Sequence, residues 1–288
     1  MTRAASFLVL ALFLSISAAA DQSLEAALNN GYRDKILALR HPLEKDSQVY
    51  DADGKVLKGG QEGPWTLYGR ILVHKIRVEK DSIRIEGQRL NYVQIGQDLA
   101  PTPAGKMKVQ IKVARPITSG EEMNTLLSQI FALTDEEMIE SAPVFWRKYL
   151  KDQIARAHGQ QPEKEAEISR RAGPAEIKVI EGPVAEDGEP VAVSHKVGGG
   201  TTAPKPRYTP EPEYTEAARH EKYRGTLVME MIVDETGKVR QPRIIRPLGM
   251  GLDENAVSKV LTWKFYPAKM DGKPVPVLMK IEVSFNIY

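Results

Sequence analysis

From Val277 to the final Tyr288 the chain alternates without a break. Val277, Met279, Ile281, Val283, Phe285 and Ile287 share one parity; Leu278, Lys280, Glu282, Ser284, Asn286 and Tyr288 share the other. A period of two fits a β-strand with one buried and one wet face, and cannot be wrapped onto one face of a helix. Upstream, Leu227, Met229, Met231 and Val233 alternate in the same way and run into the turn residues Asp234-Glu235-Thr236-Gly237, after which Val239 to Arg246 reads as the hairpin partner. Gly249 and Gly251 then open a short helix. Its Asp253 and Glu254 fall in the first turn, where the helix dipole favours negative charge, and Ala256, Val257, Val260 and Leu261 face inward. Asp271-Gly272-Lys273 turns the chain into the last strand. The order strand, strand, helix, strand predicts a three-stranded antiparallel sheet with one packed helix, preceded by a helical candidate at Thr215 to Tyr223.

Several fragments in this stretch carry a resemblance. They are Glu211-Pro212-Glu213-Tyr214 with Ala217-Ala218, Tyr223 to Val228, Ile232-Val233-Asp234 with Gly237-Lys238-Val239, Gly251 to Val257, Trp263 to Ala268, and Asp271 to Val275. In this order and spacing they resemble the C-terminal domain of TonB-family proteins, over roughly residues 204 to 288. The resemblance implies a periplasmic module without catalytic chemistry. Such a module binds an extended segment of an outer-membrane TonB-dependent transporter by adding it as a strand at a sheet edge, and energised members transmit work from a proton-driven motor.

On this reading the edge is Val277 to Ile287, and the partner-binding residues are Glu211, Pro212, Tyr214, Val277, Met279, Ile281, Val283 and Phe285. An exposed edge supports this mode, because main-chain pairing gives affinity and alternate side chains give selectivity. The chain departs from the family at Glu211, where the pattern has Gln, and at Thr215, where it has Pro. Ser6 is followed one helical turn later by Leu10 and not by the His that engages the motor, and the Pro-rich spacer is short. Coupling to a proton motor is therefore not expected.

The N-terminus reads as a secretory signal peptide over residues 1–20, with Arg3, the apolar run Phe7 to Leu14 and the small residues Ala18 to Ala20. Its rival is an uncleaved inner-membrane anchor, since Ala4 to Ala20 carries no charge; Ser6, Ser15 and Ser17 dilute that segment and favour cleavage. The expected location is the periplasm, with membrane contact only if the leader stays on. No second segment of this kind occurs in the sequence.

Between leader and C-terminal domain, residues 21–160 predict a β-rich α+β domain of unrecognised family. Leu24 to Leu39 is weakly helical and then apolar, and from Trp65 onward the pattern is one of short strands. Ile71 and Val73 share one parity and Ile76 and Val78 the other, which places a bulge near His74 or Lys75. Met107, Val109, Ile111 and Val113 alternate cleanly. Residues 35–113 therefore read as an antiparallel β-meander. Two helices follow, each with a capping box: Ser119 with Glu122, and Thr134 with Glu137. Pro143 kinks or restarts the second. Its aromatic stripe, Phe145, Trp146 and Tyr149, reads as a face that covers a sheet. Residues 161–204 are a polar linker with short strand candidates at 176–180 and 190–193, closing on Gly198-Gly199-Gly200 and a Pro-rich stretch before the domain at 205–288.

Composition removes other functions. There are 40 Lys and Arg against 38 Asp and Glu, mixed along the chain, so no electrostatic footprint for nucleic acid is present. The absence of cysteine excludes disulfides, Cys-type metal sites and thiol nucleophiles. The five histidines have no local metal-ligand spacing. Tyr50 to Gly54 is a hairpin turn and not a calcium loop, because the later ligands of that pattern are missing. No nucleophile elbow, P-loop or dinucleotide fingerprint occurs. The chain is thus expected to be no enzyme, with no cofactor and no catalytic or metal residue. Its expected role is an exported binding module in transport across the envelope. The alternative is a non-energised adaptor whose N-terminal domain carries the specific role and whose C-terminal module docks on another envelope protein or self-associates as a homodimer.

Overall fold

The computed structural model describes residues 24–160, 178–179, 192–193 and 197–286. The expected leader and most of the expected linker lie outside these residues, as does Ile287. Among the described residues no helix is long and apolar enough to cross a membrane.

In the N-terminal part the elements are α1 (Leu24–Tyr32), β1 (Ile36–Leu39), β2 (Ser47–Tyr50), β3 (Val56–Lys58), α2 (Trp65–Tyr68), β4 (Arg70–Val78), β5 (Ser82–Ile95), β6 (Asp98–Lys112), α3 (Gly120–Ser128), β7 (Phe131–Ala132) and α4 (Asp135–Ser141). Seven strands form one sheet in the order β3-β2-β6-β5-β4-β1-β7. The expected bulge is present: the β4–β5 register shifts between Val73 and Lys75. Both capping boxes form, with Ser119 Oγ accepting from Glu122 N–H at 3.2 Å and Thr134 Oγ1 from Glu137 N–H at 3.1 Å. Ile71, Ile83, Ile85, Ile111 and Phe131 fill the core against Leu28 of α1 and Leu127 of α3.

Two expectations need correction. The sheet is mixed and not a plain antiparallel meander, because β2 runs parallel to β6, with Ser47 opposite Lys108 and Tyr50 opposite Ile111. Alternation reports which face of a strand is buried, not which neighbour it pairs with. Trp65–Tyr68 is a helical turn and not the start of a strand; Pro64 stands at its N-terminus with a preset φ, and Pro has no N–H to lose there. At Pro143, where a kink or a restart of the second helix is expected, the structure has the restart: α4 ends at Ser141 and α5 (Val144–Ala157) begins after Pro143.

The C-terminal part continues with β8 (Lys178–Val179), β9 (Ala192–Val193), β10 (Lys205–Tyr208), α6 (Glu216–His220), β11 (Gly225–Val233), β12 (Val239–Arg246), α7 (Leu252–Val260), β13 (Lys264–Tyr266), β14 (Ala268–Met270), β15 (Lys273–Val275) and β16 (Val277–Phe285). β8 and β9 pair antiparallel inside the expected linker. The expected three-stranded antiparallel sheet is there in the order β12-β11-β16. Two ribbons accompany it, β10–β13 and β14–β15. The turn Asp271-Gly272 closes the second of these, whereas the sequence reading led it directly into the last strand.

The described chain falls into two compact units: residues up to Val93 with Ala100–Ala142, and Gln94–Leu99 with Pro143 onward. This places α5 and the tip of the β5–β6 hairpin in the second unit, where the sequence reading had drawn its boundary at residue 160. In that unit α5 packs against β12. Trp146 Nε1 donates to Glu254 at 3.3 Å, and Tyr149 Oη accepts from Leu99 N–H at 3.0 Å. Trp146 and Leu150 are fully buried. The aromatic stripe does cover a sheet, and the sheet is the C-terminal one.

Candidate functional site

β11 is the middle strand of the C-terminal sheet, and from Leu227 to Val233 every residue on both of its faces is buried. It pairs with β16 along its whole length, from Gly225 opposite Phe285 to Val233 opposite Val277. The two outer strands differ in their surroundings. β12 has α5 and α7 packed against it. β16 has β11 on one side and, among the described residues, no strand on the other. In an antiparallel ladder alternate residues turn their N–H and C=O away from the neighbour, so the open side of β16 presents a row of main-chain donors and acceptors.

The expected site residues separate into two groups. Val277, Val283 and Phe285 are buried and Met279 and Ile281 half-buried, all on the face turned to the core. Their side chains set the strand's position; what the strand offers outward is its backbone. The opposite face carries half-buried Leu278 and exposed Lys280, Glu282 and Ser284. Ser284 Oγ lies 2.9 Å from Thr226 Oγ1 across the ladder. These outward residues were absent from the expected site, although the polar parity of the strand marks them.

The second group lies just before α6. Glu211 is exposed, and Pro212 and Tyr214 are half-buried. The segment is fastened to α7, since Asn255 Nδ2 donates to the Glu213 carbonyl at 2.9 Å and Lys259 Nζ pairs with Glu213 Oε1 at 3.3 Å. Glu213, Asn255, Ser258, Lys259 and Thr262 line a shallow groove of about 240 Å³ there. Trp263 Nε1 donates to the Pro210 carbonyl at 2.9 Å, and the neighbouring Phe265 is buried.

The two groups meet at one point. The Tyr214 ring stands edge-on to Phe285, with centroids 5.3 Å apart and planes at 88°. Tyr214 Oη is buried yet has no hydrogen-bond partner. Desolvation pushes its pKa above the ordinary tyrosine value against the opposing effect of Arg224, so the hydroxyl stays protonated and able to donate. An unfilled donor therefore sits beside the C-terminal end of the open strand.

Two turns brace the sheet. Asp253, at the start of α7, accepts N–H bonds from Leu248 at 2.8 Å and Gly249 at 2.5 Å. Asp234 accepts from Thr236 N–H, Thr236 Oγ1, Lys238 N–H and Arg240 Nε at 2.6–2.9 Å. Both motifs are structural: each carboxylate is spent on its own loop. Among the described residues no group of His, Asp and Glu could hold a metal ion.

Known proteins match the same segment. Residues 210–287 fit the family described as Gram-negative bacterial TonB protein C-terminal. The protein TonB of Vibrio cholerae serotype O1 (strain ATCC 39315 / El Tor Inaba N16961) is 30% identical over 78 residues, which is 27% of this chain and 32% of that protein. The chain thus aligns with about a third of that relative's length. The solution structure of the TonB C-terminal domain of Pseudomonas aeruginosa matches at 17% identity and a TM-score of 0.24, covering 31% of this chain and 89% of that one. Over residues 210–287 the chain is similar to the C-terminal domain of TonB proteins.

Proposed function

We propose that the chain is an exported periplasmic module that recruits an extended segment of an outer-membrane TonB-dependent transporter, or of another envelope protein, by pairing it along the open side of β16. The observation that carries this reading is the asymmetry of the sheet, with β12 covered by helices and β16 left with an unpaired row of main-chain groups. Strand addition draws affinity from those groups and specificity from the side chains that flank them, here Lys280, Glu282 and Ser284. The reading involves no catalytic step and no cofactor. Export rests on the leader at residues 1–20.

The natural lack of cysteine makes a direct test available. Single cysteines are placed at Lys280, Glu282 and Ser284, and separately at Arg243 and Arg246 on β12. Each variant is mixed with a synthetic cysteine-bearing peptide copied from the N-terminal segment of a TonB-dependent transporter. Disulfide capture at the β16 positions, shifting in register as the peptide cysteine is moved, is expected. Capture confined to β12, or independent of register, contradicts the reading.

A second reading is favoured by the independent core and seven-stranded sheet of the first unit, and gives that unit the specific role as an adaptor. Deleting residues 205–288 separates the two. Partner capture is lost on the first reading and retained on the second.

A further inference from the structure

The β10–β13 ribbon carries an unusual surface. All four residues of β10 are exposed, and on β13 Phe265 turns inward while Lys264 and Tyr266 turn out. The register sets Lys205 opposite Tyr266 and Tyr208 opposite Lys264. The Arg207 guanidinium lies 5.8 Å from the Tyr266 ring centroid. Tyr208 and Tyr266 are 56% and 58% exposed, among the most exposed large apolar residues described. A bridge to the next turn adds Lys238 beside Lys264.

Several other cations of this unit are paired. Arg240 pairs with Asp234, Arg243 with Glu230 and Lys259 with Glu213. Lys205, Arg207, Lys238 and Lys264 make no ion pair among the described residues. The ribbon is therefore a face of unneutralised positive charge interleaved with two tyrosines, and Tyr and Arg are the residue types that dominate protein interfaces.

We propose that this face docks an acidic, extended segment of a partner protein, at a place separate from β16 and independent of strand addition there. Size favours a peptide. Four strand residues span about 13 Å, the length of a similar number of extended ligand residues, and four cations match a few carboxylates in that span. A membrane surface would also attract basic residues, and it calls for apolar anchors that two tyrosines with polar tips do not supply. Approach is to the face and not to the edge of β10, because Pro206 has no N–H to donate to an added strand.

The test uses the full mature chain and the dye-labelled peptide Gly-Ser-Asp-Glu-Asp-Glu-Ser-Gly, with a control in which Asn and Gln replace the acids. The acidic peptide is expected to bind by anisotropy, more weakly as salt rises, and the double variant Arg207→Gln with Lys264→Gln is expected to lose about tenfold in affinity. Arg207→Lys keeps the charge and is expected to retain most of it. Both positions are exposed, so an unchanged melting temperature shows that the fold survives. In the unaltered chain, the bound peptide is expected to protect Lys205 and Lys264, and not Lys222, from acetylation. Absence of peptide binding overturns the proposal, as does equal binding of the neutral control or affinity indifferent to the double substitution. Binding to vesicles of phosphatidylglycerol and phosphatidylethanolamine that the acidic peptide does not compete away overturns it in favour of a lipid surface.

Discussion

Asp253 shows how one side chain can brace a fold and give it a pH dependence. Burial, reinforced by the charge of Glu254 and opposed by the N–H groups of Leu248 and Gly249, pushes its pKa up to about 8. The unfolded chain releases that proton near 3.8. Between those values the folded chain holds more protons than the unfolded chain, so stability falls as pH rises from about 4 to about 8. Urea unfolding at both ends of the window is expected to show this decline, and Asp253→Asn to flatten it. Asp253→Ala, which removes the titrating group and strands two buried N–H groups, is expected to cost most at the low end of the window, about 2–3 kcal/mol there, and less as pH rises. The sequence shows Asp253 as a favourable charge in the first turn of a helix. It does not show that the carboxyl is sealed from water, because that depends on Leu248, Met250 and the loop folding over it. Tyr214 is a similar case. Its place in the motif is readable, whereas its contact with Phe285, a residue far along the chain, depends on the tertiary fold.

At the scale of elements, the sequence carries short-range signals more plainly than pairing partners. The bulge in β4, the capping boxes of α3 and α4 and the alternation of β16 have local causes that parity and spacing expose, whereas β11 is buried on both faces because it is the middle strand. The parallel β2–β6 pair and the β10–β13 ribbon join segments distant in sequence, and no local pattern announces them. Gly237 lies where the two kinds of information meet. It has φ +83° in the β11–β12 turn, and its carbonyl accepts from Phe265 N–H at 2.8 Å. A Cβ there would run into the Phe265 carbonyl oxygen. Gly237→Ala is therefore expected to destabilise the C-terminal unit by about 2 kcal/mol or more, measured by thermal unfolding, through both the strained φ and the clash. A change under about 0.5 kcal/mol, the range of ordinary surface substitutions, would show that β13 is not held to this turn.

At the scale of the molecule, the TonB-type segment is only part of the unit that contains it. α5 and residues 94–99 belong to that unit, and Trp146 is fully buried with its indole N–H on Glu254. Trp146→Ala is expected to lower the stability of this unit by about 3–5 kcal/mol. A fragment limited to residues 205–288 is expected to melt below the unit in the full chain, as followed by amide exchange on β12; equal protection in fragment and full chain would show that α5 adds nothing. On the proposed reading β16, which has no strand beyond it among the described residues, is the edge that takes an incoming segment. Amide hydrogen exchange across β16, with and without the transporter peptide, tests that claim most directly. Added protection at alternate residues from Val277 to Phe285, with β12 unchanged, is the expected result. Saturating binding that leaves β16 exchange as it was would contradict the account.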